Sequence, residues 1–263
     1  LSECFQKIAA WMRSNQLQLN ADKTEFMWLA TSRRHSALPL EGVSLGDDVI
    51  TPTACVRNLG IYIDADLSMS SHVSRTVSSC FHVMRQLRYI RRSLPLPVLR
   101  SVVVSLVLSR VDYGNAVLAG APACLLSRLQ SVLNAAALFI SGQQSRRDHI
   151  TPTLAKLHWL RVPEWIKFKL ALLTFRCLHG QAPIYLTDRL QLYTNTTSRR
   201  SQRLQSIDPA RLEVHRTRLA LRERSFPIAA ARVWNDLPDF VKLSNSVVTF
   251  RRNLKTYLFC QSF

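Results

Sequence analysis

The sequence predicts an α+β fold that is mainly α. Three observations carry the prediction. Apolar residues recur at three- and four-residue spacing through most of the chain after residue 66. Residues 41–63 instead carry short apolar stretches around a Gly-Asp turn. Hydrophobic residues make up 47% of the 263 positions, with only 7 glycines and 11 prolines, so a sizeable core can form and a fibrous or low-complexity protein is excluded.

The elements follow in order. Residues 3–15 read as an amphipathic helix with Phe5, Ile8 and Met12 on one face. A loop then leads to an apolar strand from Phe26 to Ala30. Val43 and Leu45 before Gly46-Asp47-Asp48, with Val49-Ile50 after, form a hairpin signal. Val56 to Ile63 reads as another strand. Val73, Val77, Cys80, Met84 and Leu87 fall on one helical face, and that helix ends near Ser93-Leu94-Pro95. A buried helix is expected over 97–111. Another over 123–141 carries Leu126, Leu129, Leu133, Ala136 and Ile140 on one stripe. Pro163 suits the first turn of a helix over 163–178 that buries Ile166, Leu170, Leu173 and Cys177. Residues 191–224 are rich in Ser, Thr and Arg and read as a loose basic linker. Eight arginines (199, 200, 203, 211, 216, 218, 222, 224) face three acids there. Order returns from Phe226 to Trp234. A final helix over about 246–259 buries Val247, Phe250, Leu254 and Leu258.

Charge narrows the function classes. Lys and Arg total 35 against 17 acids, a formal charge of +18. A globular chain this basic calls for a polyanion, with nucleic acid ahead of an anionic membrane surface. The six cysteines show no Cys-x-x-Cys spacing and read as reduced thiols, mostly core, in a nuclear or cytoplasmic protein that is not secreted. The most apolar run, 101–109, has nine residues between Arg100 and Arg110, against the roughly 20 that a membrane span needs. No membrane partner is expected. The first residue is Leu1, and the expectation is a fragment of a longer protein.

Particular motifs sharpen the reading. Trp11-Met12, Asn15, Leu17, Leu19-Asn20 and Asp22-Lys23-Thr24-Glu25 form one block. Val56-Arg57-Asn58-Leu59-Gly60-Ile61 with Asp64, Leu67-Ser68 and His72-Val73 forms a second. Arg110-Val111-Asp112-Tyr113-Gly114-Asn115 follows, then Leu129-Gln130 through Ala136, and Leu157-His158-Trp159-Leu160. Cys177 to Leu186 and Ala230 to Pro238, with Phe250, Leu254 and Lys255, complete the order. This succession resembles the C-terminal part of reverse transcriptases from LINE-type (non-LTR), jockey-like retrotransposons, over nearly the whole chain.

The resemblance implies a remnant of the polymerase palm with its β-hairpin over 1–65, a helical thumb and connection over 66–190, and a basic loop with a helical C-terminal region over 191–263. It implies RNA-directed DNA synthesis by the parent, with Mg2+ as its cofactor and RNA and DNA as its partners. The family's catalytic pair lies in a Tyr/Phe-Ala-Asp-Asp motif that would precede the Trp-Met helix, and it does not occur in these residues. The chain alone is therefore expected to be inactive, to hold no cofactor, and to need the missing palm and fingers for chemistry. The alternative is a retroelement remnant, or a protein-interaction module, that binds no nucleic acid. It would expose Phe5, Met12, Phe26 and Trp28 where the palm once packed.

The candidate residues divide by role. Lys23 occupies the motif D position, whose lysine would protonate leaving pyrophosphate in the intact parent. It reads otherwise as a solvated lysine paired with Asp22 or Glu25. By the resemblance Asn58 and Gly60 fall in motif E, the primer-grip hairpin; they read otherwise as part of a strand with a bulge glycine. Arg85, Arg88, Arg91 and Arg92 follow one another on a helix, the first three near one face, with no acid between Asp66 and Asp112. They fit a phosphate-tracking helix, or a solvated face. Arg199 and Arg200 open the basic stretch, which contacts nucleic acid or is simply a loop. Asp47-Asp48 reads as turn chemistry, because two-metal transfer needs a further carboxylate on a neighbouring strand. His149, His158, Cys177 and His179 lack zinc spacing, and no metal site is expected. Trp11, Trp159 and Trp234 are expected in the core.

Overall fold

The computed structural model describes residues 2–31, 38–39, 41–45, 48–142, 149–193, 210–215, 217 and 220–263. Helices dominate, with two small antiparallel hairpins, so the fold is α+β and mainly α. The chain packs as two units, 1–75 and 76–263, that divide inside one long helix.

The first unit opens with α1, Ser2–Ser14. Phe5, Ala9 and Met12 form its half-buried face, while Ile8 and Trp11 are exposed, which corrects the core placement expected for Trp11. A single 3-10 turn, Ala21–Lys23, follows. The expected strand over 26–30 is not a regular strand. Phe26 forms an isolated bridge with Pro52, the Thr53 amide donates to the Phe26 carbonyl at 2.7 Å, and the Ala30 amide donates to that of Ala65 at 3.1 Å.

β1 (Val43–Leu45) and β2 (Asp48–Ile50) pair antiparallel, with Val43 opposite Ile50 and Leu45 opposite Asp48, so the anticipated hairpin forms. The expected single strand from Val56 is instead a second hairpin. β3 (Cys55–Asn58) pairs with β4 (Ile61–Asp64) across the two-residue turn Leu59-Gly60. Both turn residues have positive φ, 47° and 85°. That is the backbone requirement of a type I′ turn, and Gly60 meets it without steric cost.

Helix α2, Ser70–Ile90, begins in this unit. Its first turn rests on the Asp64 carboxylate, which accepts from the Ser71 amide at 3.1 Å and from the Ser68 and Ser70 hydroxyls at 3.2 and 3.3 Å. Negative charge at a helix N-terminus is stabilising. Among the described residues before Asp64 none is buried; Asp64, Ala65, Met69, His72 and Val73 are the buried residues of this unit.

The second unit carries the hydrophobic core. The anticipated stripe of α2 points inward here, with Cys80, Met84 and Leu87 buried beside Val83. A 3-10 turn, Arg91–Ser93, ends the helix, and Pro95 precedes the next. The expected buried helix over 97–111 has three parts: α3 (Leu96–Val103), a π turn (Val104–Leu108) and α4 (Ser109–Asp112). Leu99, Val103, Val107 and Leu108 are buried, but Val98, Val104 and Leu106 are exposed, so the run is half buried rather than wholly so.

α5, Ala123–Ser141, forms over the anticipated residues. By length and composition it is the one helix among the described residues that could cross a membrane, rather than the 101–109 run. Its Leu129, Val132, Leu133, Ala136 and Ala137 are buried, and it packs on α3, on α6 (Ile150–Lys156) and on α7 (Val162–Leu178), as a core helix does. α6 was not anticipated. After α7 comes the short α8, Ile184–Thr187.

The end of the chain folds back onto α7. The basic stretch is ordered where it is described. Leu192 bridges Leu212, the Tyr193 amide donates to the Arg211 carbonyl, and the Glu213 amide donates to that of Gln191, both at 2.8 Å. Leu212 is fully buried, which corrects the reading of its surroundings as a loose linker. α9 (Ala220–Glu223), α10 (Phe226–Asn235), α11 (Asp239–Lys242) and α12 (Val247–Ser262) complete the chain. The main cluster joins Phe175 of α7, Trp234 and Ala231 of α10, and Phe250, Leu254 and Leu258 of α12. Phe175 stacks on Phe250 with ring centres 4.2 Å apart. The Trp234 indole N–H donates to the Ala210 carbonyl at 2.9 Å, so the ring is buried with its polar atom satisfied.

Candidate nucleic-acid interface

The second unit presents a basic row on α2. With Cys80, Met84 and Leu87 directed into the core, helical geometry turns Arg85 and Arg88 outward, and both are exposed, as is Arg92 in the turn that follows. None of these three makes an ion pair or hydrogen bond among the described residues. The row stays uncompensated because no acid lies in the surrounding sequence between Asp66 and Asp112.

Arg91 behaves differently from its neighbours. It is half-buried, and its Nε donates to the Phe139 carbonyl at 3.1 Å, with the guanidinium 5.5 Å from the Phe139 ring centre. Phe139 lies in the last turn of α5, whose carbonyls carry the negative end of the helix dipole. Arg91 therefore closes the end of α5, and the solvent-facing row is Arg85, Arg88 and Arg92. The same end is terminated by Gly142 at φ 77°, with Arg91 Nη2 only 2.8 Å from where a Cβ would sit.

Beside the row lies a groove of about 250 Å³. Phe81 and Met84 of α2 and Ala135 and Phe139 of α5 form its floor, and Arg85 and Arg88 form its rim. Guanidinium groups beside an apolar floor can engage a phosphate and a planar ring together.

The first unit has a separate basic feature that sequence reasoning missed. Arg57 and Tyr62 face one another across β3 and β4. The Arg57 guanidinium lies 5.6 Å from the Tyr62 ring centre, and that of Arg75 lies 4.4 Å from it. The only signal in the sequence was Arg57 two residues before the turn. Recognising that Leu59-Gly60 is a turn would have placed Tyr62 opposite it. Asn58 and Gly60 sit at the end of this same hairpin, Asn58 exposed and paired with Ile61.

Lys23 is exposed in its 3-10 turn, where its amide donates to the Asn20 side chain at 3.1 Å. Among the described residues it pairs with neither Asp22 nor Glu25. Arg199, Arg200 and Asp47 lie outside the described residues. His158 and His179 are both engaged by aromatic rings, Phe259 at 5.6 Å and Phe175 at 3.9 Å. No group of three or more His, Cys, Asp or Glu that could hold a metal ion occurs among the described residues.

The buried titratable groups are structural. Burial would raise the Asp64 pKa, but hydrogen bonds from Ser71, Ser68 and Ser70 outweigh it and hold the carboxylate below its ordinary value of 3.8. Burial lowers the His72 pKa below 6.5 against the opposing attraction of Asp64, and His72 Nδ1 is buried with no hydrogen-bond partner among the described residues. Burial pushes the Cys80 thiol up to about 11. Of the six cysteines only Cys80 and Cys177 are buried; Cys4, Cys124 and Cys260 are exposed and Cys55 is intermediate, so the thiols are not mostly core.

Comparison with protein families, with characterised proteins and with solved structures finds no match to this chain.

Proposed function

We propose that this chain is the C-terminal part of a non-LTR retrotransposon reverse transcriptase, the portion that follows the catalytic aspartates, and that it binds RNA and DNA without polymerising. The observation that carries the binding is the row of Arg85 and Arg88 on α2 and Arg92 in the turn that ends it, all exposed and free of ion pairs among the described residues. The family assignment rests on the succession of sequence blocks from Trp11 to Lys255. In the intact parent, Lys23 would serve as general acid and Asn58-Gly60 as part of the primer grip, with Mg2+ held by carboxylates that these residues do not include. The protein would act in the nucleus or cytoplasm.

The binding reading is tested by fluorescence anisotropy with a labelled RNA–DNA hybrid over a salt series. Each phosphate contact contributes about −0.7 to −0.9 to the slope of log affinity against log salt. Replacing Arg85, Arg88 and Arg92 together by Ala should lower the slope magnitude by about 2 to 3 and weaken binding by roughly tenfold or more at moderate salt. Affinity that does not change with salt sinks the reading.

A second reading, a protein-interaction module, draws on the first unit. There Trp11, Leu17, Leu29 and Leu59 are each half exposed or more. The residues expected to be bared in that case, Phe5, Met12, Phe26 and Trp28, are instead half-buried, and Phe26 packs edge-on to Trp28 at 4.9 Å.

A further inference from the structure

We propose that the groove between α2 and α5 receives one unpaired base, which makes single-stranded nucleic acid the ligand of this face. The inference rests on the reading of α2 as a phosphate-binding helix and adds a second, apolar determinant to it.

Size selects a small planar group. At about 250 Å³ the groove falls below the roughly 300–1,000 Å³ of sites that enclose drug-sized molecules. It is also unsuited to an amphipathic peptide helix, which needs several apolar anchors over successive turns. A single ring system fits.

Chemistry selects a base attached to phosphates. Two phenylalanines, a methionine and an alanine line the floor, and every base has an apolar face that such a floor accepts regardless of sequence. Arg85 and Arg88 stand one turn apart on the rim, about 5–6 Å between their Cβ atoms, so both can reach backbone phosphates flanking one inserted base. No acid occurs in α2 or α5 to repel those phosphates. A duplex offers the same phosphates but keeps its bases stacked inside, so it reaches the rim and not the floor.

Arg91 holds the groove in shape. Its hydrogen bond to the Phe139 carbonyl and its place over the Phe139 ring tie the end of α2 to the end of α5. The floor is therefore built before any ligand arrives.

The experiment uses the full chain and three labelled probes of about 12 nucleotides, within the range of single-strand site sizes. One is a single-stranded oligonucleotide, one is its abasic counterpart with the same phosphates, and one is the duplex. Stacking one base on aromatic side chains is worth roughly 5- to 150-fold in affinity. The base-bearing strand should bind about tenfold tighter than the abasic strand. Ala135→Phe, which fills the groove without changing charge, should remove that preference and leave the salt dependence as it was. The comparison of base-bearing and abasic strands uses the unaltered protein, so it stands even if the variant does not fold. Equal, salt-dependent binding of the two strands overturns the base site and leaves the arginine row intact. Duplex binding that matches the base-bearing strand also overturns it. Failure to bind any probe overturns the phosphate-binding reading and this inference with it.

Discussion

Leu59 shows how far a single residue can depart from its own preference. It holds φ 47° in a turn whose first central position favours Asn, Asp or Gly, and it is 84% exposed. An L-residue in this region costs about 1–2 kcal/mol. Leu59→Asn should therefore raise the unfolding free energy by about 1 kcal/mol, as read in a urea titration monitored by signals of the first unit. A destabilised variant would show that the side chain has a role that outweighs the backbone. Phe250 lies at the opposite extreme, fully buried between Phe175 and Trp234. Phe250→Ala should cost about 3–5 kcal/mol, because the cavity opens among stacked rings that cannot collapse into it. Asp64 and His72 give the first unit an acid dependence. Both folded-state pKa values are depressed, so the unfolded chain binds more protons and stability is lost as the pH is lowered. The loss should begin as pH drops through the ordinary His value of 6.5 and continue below 3.8 through Asp64. Asp64→Asn should remove the second phase, which acid titration followed by circular dichroism would detect.

At the scale of elements, helix ends were set by local chemistry and were largely legible. Ser246 caps α12 by accepting from the Thr249 amide at 3.2 Å, and Ser246→Ala should cost about 1 kcal/mol in thermal unfolding. α5 and α7 formed within a residue of their expected bounds, because apolar spacing and the prolines at their starts act within one or two turns. The 96–112 segment was less legible. Ser101, Ser105 and Ser109 recur at four-residue spacing and mark the face that is exposed, a signal outweighed by the six apolar residues between them, and nothing in the run announces a π turn. α6 was missed because Ile150-Thr151-Pro152-Thr153 has weak helix formers, and its helix is held by packing on α5. The residues around Leu59-Gly60 read as one strand because Leu is a poor marker for positive φ, and only the resemblance, with its primer-grip hairpin, implied a turn in this block.

The whole molecule divides its stability unevenly. The second unit has the aromatic core, whereas the first has no buried residue before Asp64 among those described. Thiol labelling should expose this organisation. Cys4, Cys124 and Cys260 should react at once at pH 8, and Cys80 only as the second unit opens, since its thiol is buried and its pKa is about 11. Equal rates at Cys80 and Cys124 would contradict the burial of Cys80 in the second unit. The sequence by itself determined the fold class, the five longest helices, the first hairpin and the excess of positive charge, because each depends on composition or on neighbours within a few residues. Its spacing puts Arg85, Arg88 and Arg91 near one helical face, whereas in the structure Arg91 is half-buried and Arg92 joins Arg85 and Arg88 in solvent. Only the tertiary structure separated their roles, since the partner of Arg91 is the Phe139 carbonyl, 48 residues away along the chain. The groove likewise exists only because α2 and α5 bring Phe81 and Phe139 to one floor. Leu212 entered the core through its ladder with Leu192 and the paired hydrogen bonds of Asn235, both at 2.9 Å. Contacts between residues far apart in the chain leave no periodic trace in sequence, and here they decide which arginines face solvent and which hold the fold together.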